Sequence, residues 1–420
     1  MMREYLLAPI LQHYARRQAK NLTFSECDDS VEKTISSNES KHAALPLYVH
    51  IPFCKSLCPF CSFNRYLFKE AEVKTYYSHL NAELGFYAEK GYRFDSIHVG
   101  GGTPTVRTDM LASFIDKAKS LFDLAIIDVE STPNEITDEN IRTLKSAGVN
   151  RLSIGVESFD DAILKDMGRP RYKGVDALEK IKMAKGKFNT VGMDLIYGFP
   201  SQSAESISND LGLFKSSGAD QITLYPLMPG PNKNTAIERR FQKTALKSRS
   251  VKKRKFFYDL VRKNLLDSGY LQLSAWCFSK NRDDVEEYIN HSGEYVGIGS
   301  SSISLLNDIA YINTFSIRKY GERLSKNRLP TARYKRLDRK EYLLYNLLSS
   351  LFGMRISDYS RKDYRIMKNE LLLLDLAGII EKKDGGFRVT DRGAFYASIL
   401  MEEFLSALNG VRETCIAQQV

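Results

Sequence analysis

The 420-residue chain has no apolar run long enough to span a bilayer. Its longest such stretch, Leu371 to Ile380, is broken by Asp375 and falls far short of the roughly 20 residues a spanning helix needs. Cysteine is scarce, at six residues, which excludes a disulfide scaffold. Low-complexity sequence is also missing. With 26 Gly, 12 Pro, 43% hydrophobic and 27% charged residues, the composition is that of a soluble globular chain able to bury a core. There is no acidic excess: 61 Lys+Arg stand against 51 Asp+Glu, a net charge of +10. That surplus admits nucleic acid, an anionic membrane or an acidic small molecule as partner and does not choose among them. The first twenty residues do not form a secretory signal, because Pro9 and His13 interrupt Leu6, Leu7, Ile10 and Leu11 and no small-residue cleavage site follows. A cytoplasmic location is expected.

From Leu47 onward, β-branched runs alternate with helical patterns. Strands are expected at Leu47 to Ile51, Ser96 to Val99, Ile126 to Glu130, Arg151 to Val156, Val191 to Tyr197 and Gln221 to Tyr225. Helices fill the intervals: Glu70 to Lys90, Thr108 to Phe122, Asp138 to Ser146, Asp160 to Lys185 and Ser203 to Ser217. Each connection is long enough for a right-handed crossover, so the fold class is α/β, a partial (β/α)6 barrel with its site at the strand C-termini. Residues 1–45 read as a leader, a short basic amphipathic helix followed by a flexible polar stretch, Ser25 to Lys41. A core unit is expected over 46–306 and a C-terminal module over 307–420. In the latter, helices at Asp338 to Phe352 and up to Leu376, a hairpin around Asp384-Gly385-Gly386 and a helix from Gly393 to Leu408 suggest a winged-helix-like arrangement. The run Tyr364 to Leu376 lacks an Arg/Asn/Gln array suited to reading bases, and the basic segment Arg239 to Lys255 reads as a solvated helix face. Nucleic acid is therefore not expected as a partner.

Three of the six cysteines lie within eight positions, in Tyr48-Val-His-Ile-Pro-Phe-Cys54-Lys-Ser-Leu-Cys58-Pro-Phe-Cys61. Cys27, Cys277 and Cys415 are scattered and have no assigned role. Three thiolates on one tight loop can hold three corners of a cubane and leave the fourth iron open. A structural zinc would want a fourth protein ligand, and none follows closely. An open iron can bind a small molecule through its amine and carboxylate and pass it one electron.

The C-x3-C-x2-C loop at the mouth of a βα array resembles the radical S-adenosylmethionine (SAM) superfamily. Tyr-x-His-Ile-Pro-Phe-Cys narrows the resemblance to the branch of the oxygen-independent coproporphyrinogen III oxidases, over Leu47 to about Leu306. His98-Val-Gly100-Gly101-Gly102-Thr103-Pro104, Glu130, Arg151 to Phe159, Gly168-Arg169, Met193 to Pro200 and Ile298 to Ser304 follow in family order. The resemblance implies a [4Fe-4S] cluster on Cys54, Cys58 and Cys61. It also implies two SAM molecules per site, the first held by Tyr48, Gly101, Glu130 and Ile303. The second would be held by Phe60, Gly102, Thr103, Arg169 and Asp194, with Glu157 at the position of a family Gln. A low-potential donor such as flavodoxin or ferredoxin is the implied reductant.

Within the branch, Phe63 replaces the oxidase's fourth cysteine, which counts against porphyrin decarboxylation. The haem chaperones share a Phe there but carry a His-Asn-Leu-x-Tyr-Trp segment, where this chain has Trp276-Cys277-Phe278-Ser279 and Asn290-His291-Ser292-Gly293-Glu294-Tyr295. The remaining relatives are class C radical SAM methyltransferases, whose substrates include menaquinone, haem and peptide-bound heteroaromatic rings. Among these, the overall resemblance of the leader and the cysteine-loop context, together with a single-enzyme organisation that shows no separate peptide-recognition domain, implies a C-methyltransferase acting at C8 of menaquinone. The haem-degrading methyltransferases, the coproporphyrinogen oxidase and the haem chaperone are its alternatives. Arg3, Arg16, Arg17 and Lys20 beside Leu6, Leu7, Ile10 and Leu11 would suit peripheral contact with a membrane. The stretch Tyr270 to Phe278 is expected either to touch a flat substrate or to form a core strand.

Overall fold

The computed structural model describes the chain except residues 1, 21–22, 39–42, 170, 229–249, 283–292, 356–357, 384–385 and 419–420, together with the side chains of 2–6 and 19–20. Helix α1 (Met2–Lys20) comes first, then α2 (Asp29–Ser36). Strands and helices then alternate through β1 (Leu45–Ile51), α3 (Glu70–Glu89), β2 (Phe94–Gly101), α4 (Thr108–Leu121), β3 (Ile126–Ser131), α5 (Asp138–Ala147) and β4 (Arg151–Glu157). The series continues with α6 (Asp161–Asp166), α7 (Gly174–Ala184), β5 (Thr190–Tyr197), α8 (Ala204–Ser217) and β6 (Gln221–Pro226). All neighbouring pairs from β1 to β6 are parallel.

These strands read as apolar runs because one side chain in two packs beneath the helices. Leu47, Val49, Ile97, Val99, Val129, Leu152, Ile154, Val191 and Met193 are all buried there. The residues between them face inward at period two. Register places Tyr48 beside His98, His98 beside Asp128 and Asp128 beside Arg151, so a row of polar side chains crosses four strands at one level.

After α9 (Val251–Asp267), the short strands β7 (Leu271–Gln272) and β8 (Cys277–Ser279) extend the sheet antiparallel beyond β6. At the other edge β9 (Val296–Ile298) pairs parallel with β1. The order is β7-β8-β6-β5-β4-β3-β2-β1-β9, an open mixed sheet. A second, antiparallel sheet joins β10 (Ile303–Leu306), β11 (Ile309–Asn313), β12 (Thr331–Arg336) and the pair Ser25–Glu26. Beyond α10 (Ile317–Leu324) come α11 (Arg339–Phe352), α12 (Arg361–Leu376), the hairpin β13 (Ile380–Lys383)/β14 (Gly386–Val389) and α13 (Asp391–Ala417).

Three expectations are corrected here. The helix expected over Asp160 to Lys185 is two helices, because the chain turns left-handed at Gly168 (φ 74°), which swings Arg169 towards the strand ends. The stretch Ser25 to Lys41 is built in where it is described. Asp28 caps α2 by accepting from the Ser30 and Val31 amides, Val31 and Ile35 are buried, and Arg323 pairs with Glu32. Helix α1 lies along α13, where the Arg16 fork and Gln12 bind Glu403. Arg16 is therefore committed to the protein, and membrane contact draws no support from it. No described helix is long and apolar enough to cross a membrane. Of the basic segment, residues 239–249 lie outside the described residues, and the remainder opens α9, with Lys255 bonded to Asp259 one turn on.

Candidate functional site

The cysteine loop leaves β1 through Phe53-Cys54, which pairs parallel with Tyr66–Leu67. Glycines bring β2 against it. The Gly102 amide donates to Ile51 O (2.8 Å) and the Thr103 amide to Phe53 O (2.8 Å). A Cβ on Gly102 would lie 2.7 Å from Phe53 O and 3.0 Å from Cys54 Sγ. Gly101 has φ 115°, and its amide donates to Glu130 Oε2 (3.1 Å).

Beneath this motif the inward row is a charged network. His98 contacts Asp128 through Nδ1 (2.9 Å) and Glu130 through Nε2 (3.3 Å), and Arg151 reaches both Asp128 (3.1 Å) and Gln221 (2.7 Å). Burial opposes the charge on His98, but Asp128 and Glu130 outweigh it and hold the imidazole well above its ordinary pKa. Tyr48 stacks on His98 and its hydroxyl meets His50 Nδ1 (2.9 Å), while His50 is pushed down to about 4 by burial and stays neutral. Asp194 accepts from Ser153 Oγ. Glu157 sits at φ 68°, where the β4–β5 register slips, and it binds Arg169 NH1 at 2.5 Å. Arg169 NH2 donates to Gly155 O (2.9 Å). The Arg169 fork, expected to face a SAM carboxylate, is thus held by this chain's own groups.

The Gly-Ser segment after β9 is fixed from behind by Glu83 of α3. Its carboxylate accepts from the Gly299 amide (2.8 Å), Asn313 (2.7 Å) and Tyr320 (2.5 Å), and complete burial pushes its pKa up to about 7.

Tyr48, Cys54, Cys58, Phe60, Cys61, Gly101, Gly102, Thr103, Glu130, Glu157, Arg169, Asp194 and Ile303 all line one cavity of about 1170 Å³. Of the stretch Tyr270 to Phe278, Trp276 alone reaches it. Tyr270, Cys277 and Phe278 are core, with Cys277 accepting from Gln221. Asn290 and His291 lie outside the described residues. The sequence reading missed the apolar part of the cavity lining, the apolar lobe for short, to which Leu7 and Leu11 of α1, Leu344 and Leu348 of α11, Leu374 of α12 and Phe404 of α13 contribute. It also missed Arg65, Arg412 and the His98–Asp128–Arg151 row. Charged residues inside otherwise apolar strands were a usable signal for that row.

The thiols suit an iron–sulfur cluster. Burial, then the neighbouring Cys61 thiol, push Cys54 up to about 12, so its thiolate calls for added positive charge. No three His, Cys, Asp or Glu side chains among the described residues converge as a single ion demands, whereas a cubane takes each thiolate at its own iron. Arg65 Nε and NH1 and Arg412 Nε, buried beside the loop, find no hydrogen-bond acceptor among the described residues. An anionic cluster would supply the charge they lack.

A sequence profile of the radical SAM superfamily matches residues 48–214. The heme chaperone HemW of Bacillus subtilis is 25% identical over 378 residues, covering 86% of this chain and 99% of that protein. HemW of Escherichia coli is 30% identical over 271 residues, 61% of this chain and 68% of that protein. The structure of coproporphyrinogen III oxidase (HemN) from Escherichia coli superposes with a TM-score of 0.72 at 24% identity, over 92% of this chain and 95% of that one, and it establishes the fold. These relatives correct the expectation of a menaquinone C8-methyltransferase, and with it the assignment of the chain as a methyltransferase enzyme. Proteins matched over nearly their whole length are haem chaperones by name. The expectation leaned on the leader, the context of the cysteine loop and the absence of a separate peptide-recognition domain. A cysteine loop held against β2 serves the cluster, and so it carries little information about a second ligand.

Proposed function

The chain belongs to the radical SAM superfamily, in its HemN-like branch, and from that premise we propose that it binds haem, or a tetrapyrrole of the same chemistry, beside a cluster-and-SAM centre. Membership implies a [4Fe-4S] cluster and SAM. Cys54, Cys58 and Cys61 are the residues to hold the cluster, which when bound supplies an open iron and one-electron chemistry. Tyr48, Gly101, Glu130 and Ile303 are proposed to position SAM against it. The glycines let a ligand approach the backbone, and Glu130 presents an acceptor whose orientation His98 and the Gly101 amide fix. Phe60, Gly102, Thr103 and Asp194, with the Glu157–Arg169 pair, are proposed to hold a second SAM, a reading supported by their lining the same cavity.

The observation that carries the haem reading is the size of the cavity and the apolar side chains that line part of it. Its 1170 Å³ exceeds the usual range of small-ligand sites, about 300–1,000 Å³, and its apolar lobe under α1, α11, α12 and α13 suits a flat apolar macrocycle. Haem added to the purified chain should saturate at one equivalent with a shifted, sharpened Soret band. Leu405→Glu, which sets a carboxylate among the lobe's leucines, should weaken binding about tenfold or more. Absorbance that simply adds as free haem, or a variant that binds as the wild type does, refutes the reading.

A further inference from the structure

The last turns of α13 return, some 350 residues after the cysteine loop, to touch it. Arg412 donates through NH1 to the carbonyl of Ser62, and Arg65 NH2 donates to Cys61 O (3.1 Å). Arg412 is 8% exposed, and its Nε together with Nε and NH1 of Arg65 lacks an acceptor among the described residues. Both side chains border the cavity at the cysteine end. A guanidinium keeps its charge when buried, so two adjacent cations with unspent donors are costly unless something anionic joins them. Beside them, the thiolate loop when it carries its cluster would supply that charge, and Cys61 is among the groups acting on Arg412.

We propose that Arg65 and Arg412 form a cationic clamp on the cysteine loop, through which cluster loading seats the C-terminal helix and the seated helix in turn raises the cluster's reduction potential. The inference rests on the cluster part of the proposed function. Its logic is reciprocal, as linkage requires: if the loaded loop favours the docked helix, the docked helix favours cluster retention by the same factor, and because reduction adds a negative charge to the cluster, the clamp's two cations stabilise the reduced form. Local positive charge and hydrogen bonding are established determinants of cluster potential. α13 also forms a wall of the apolar lobe, through Phe404 and Leu405, so the clamp ties the state of the cluster to the shape of the haem cavity.

The test uses the full chain, SAM-free, with and without reconstituted cluster. Amide hydrogen exchange over residues 405–415 should be about tenfold slower in the loaded protein, as expected when buried unpaired donors gain a partner. In an EPR-monitored redox titration, Arg412→Gln should shift the midpoint to lower potential and Arg412→Lys should recover most of the shift. Equal exchange with and without the cluster overturns the proposal and requires no variant. A midpoint unmoved in Arg412→Gln at full iron content overturns it as well. Iron and sulfide analysis separates the two layers: a chain that takes up no four-iron cluster fails the site reading itself, whereas a loaded chain with an indifferent helix fails the clamp alone.

Discussion

Replacing Glu83 by Gln should change how stability depends on pH, in a direction fixed by the structure. Glu83 is fully buried on α3, and its folded pKa is raised from 4.5 to about 7, chiefly by burial, against the partial relief of Tyr320, the Gly299 amide and Asn313. Between pH 4.5 and 7 the folded chain holds this proton and the unfolded chain does not. Stability therefore falls by about 1.4 kcal/mol per pH unit across that window, roughly 3 kcal/mol in all. The contribution is complete below pH 4.5 and lost as pH rises through 7. A Gln carries no such proton, so the difference between wild type and Glu83→Gln should drift by about 3 kcal/mol against the wild type from pH 4.5 to 7 and stay flat above it.

The absolute offset is a separate quantity, because all three Glu83 partners donate and the new amide NH2 must face one of them. That costs about 1–3 kcal/mol, independent of pH. The slope is thus the diagnostic, and it also cancels the titration of Asp210, raised to about 6 by burial, which both proteins share. Urea midpoints of the cluster-free proteins at pH 5, 6, 7 and 8 measure it. Parallel curves for the two proteins would refute the assignment of a raised pKa to Glu83. The consequence reaches the site, because Glu83 fixes Gly299 (φ 96°), four residues before Ile303.

Cys58→Ala should abolish the brown absorbance and reduce iron to background on reconstitution, while Cys277→Ala, buried far along the sheet edge, keeps it. Arg169→Ala strands the Glu157 carboxylate without its counter-charge and should cost about 3 kcal/mol in denaturant midpoints. Adding Glu157→Gln should return much of that, and failure of the double variant to recover would deny the coupling. Gly102→Ala, with its Cβ 2.7 Å from Phe53 O, must push β2 away from the cysteine loop. A loss of about 1–3 kcal/mol together with poorer iron retention is expected from melting and metal analysis.

What the sequence could disclose depended on whether the information was local. The six parallel strands were legible because each is an apolar run between helices, and the observed ends differ from the expected ones by about two residues at most. The residues gathered around the cavity were legible because the family motifs lie at strand ends, where β1 to β5 deliver them to one place. The break at Gly168 was legible but passed over: Gly168 and Pro170, two residues apart, both argue against one continuous helix, and the chain turns left-handed at that glycine. Arg412 was out of reach. On α13 it is one of two cations, with Arg392, and its meaning comes from a contact with Ser62 across 350 residues that no periodicity encodes. The same limit explains the error about function. The cluster loop and glycine run are dictated by how a cluster and SAM sit against β1 and β2, so they are shared by relatives that handle different second ligands. If the chain holds a tetrapyrrole as proposed, the wall that selects it is assembled by α1, α11, α12 and α13 from leucines far apart in sequence, each of which, alone, reads as ordinary core.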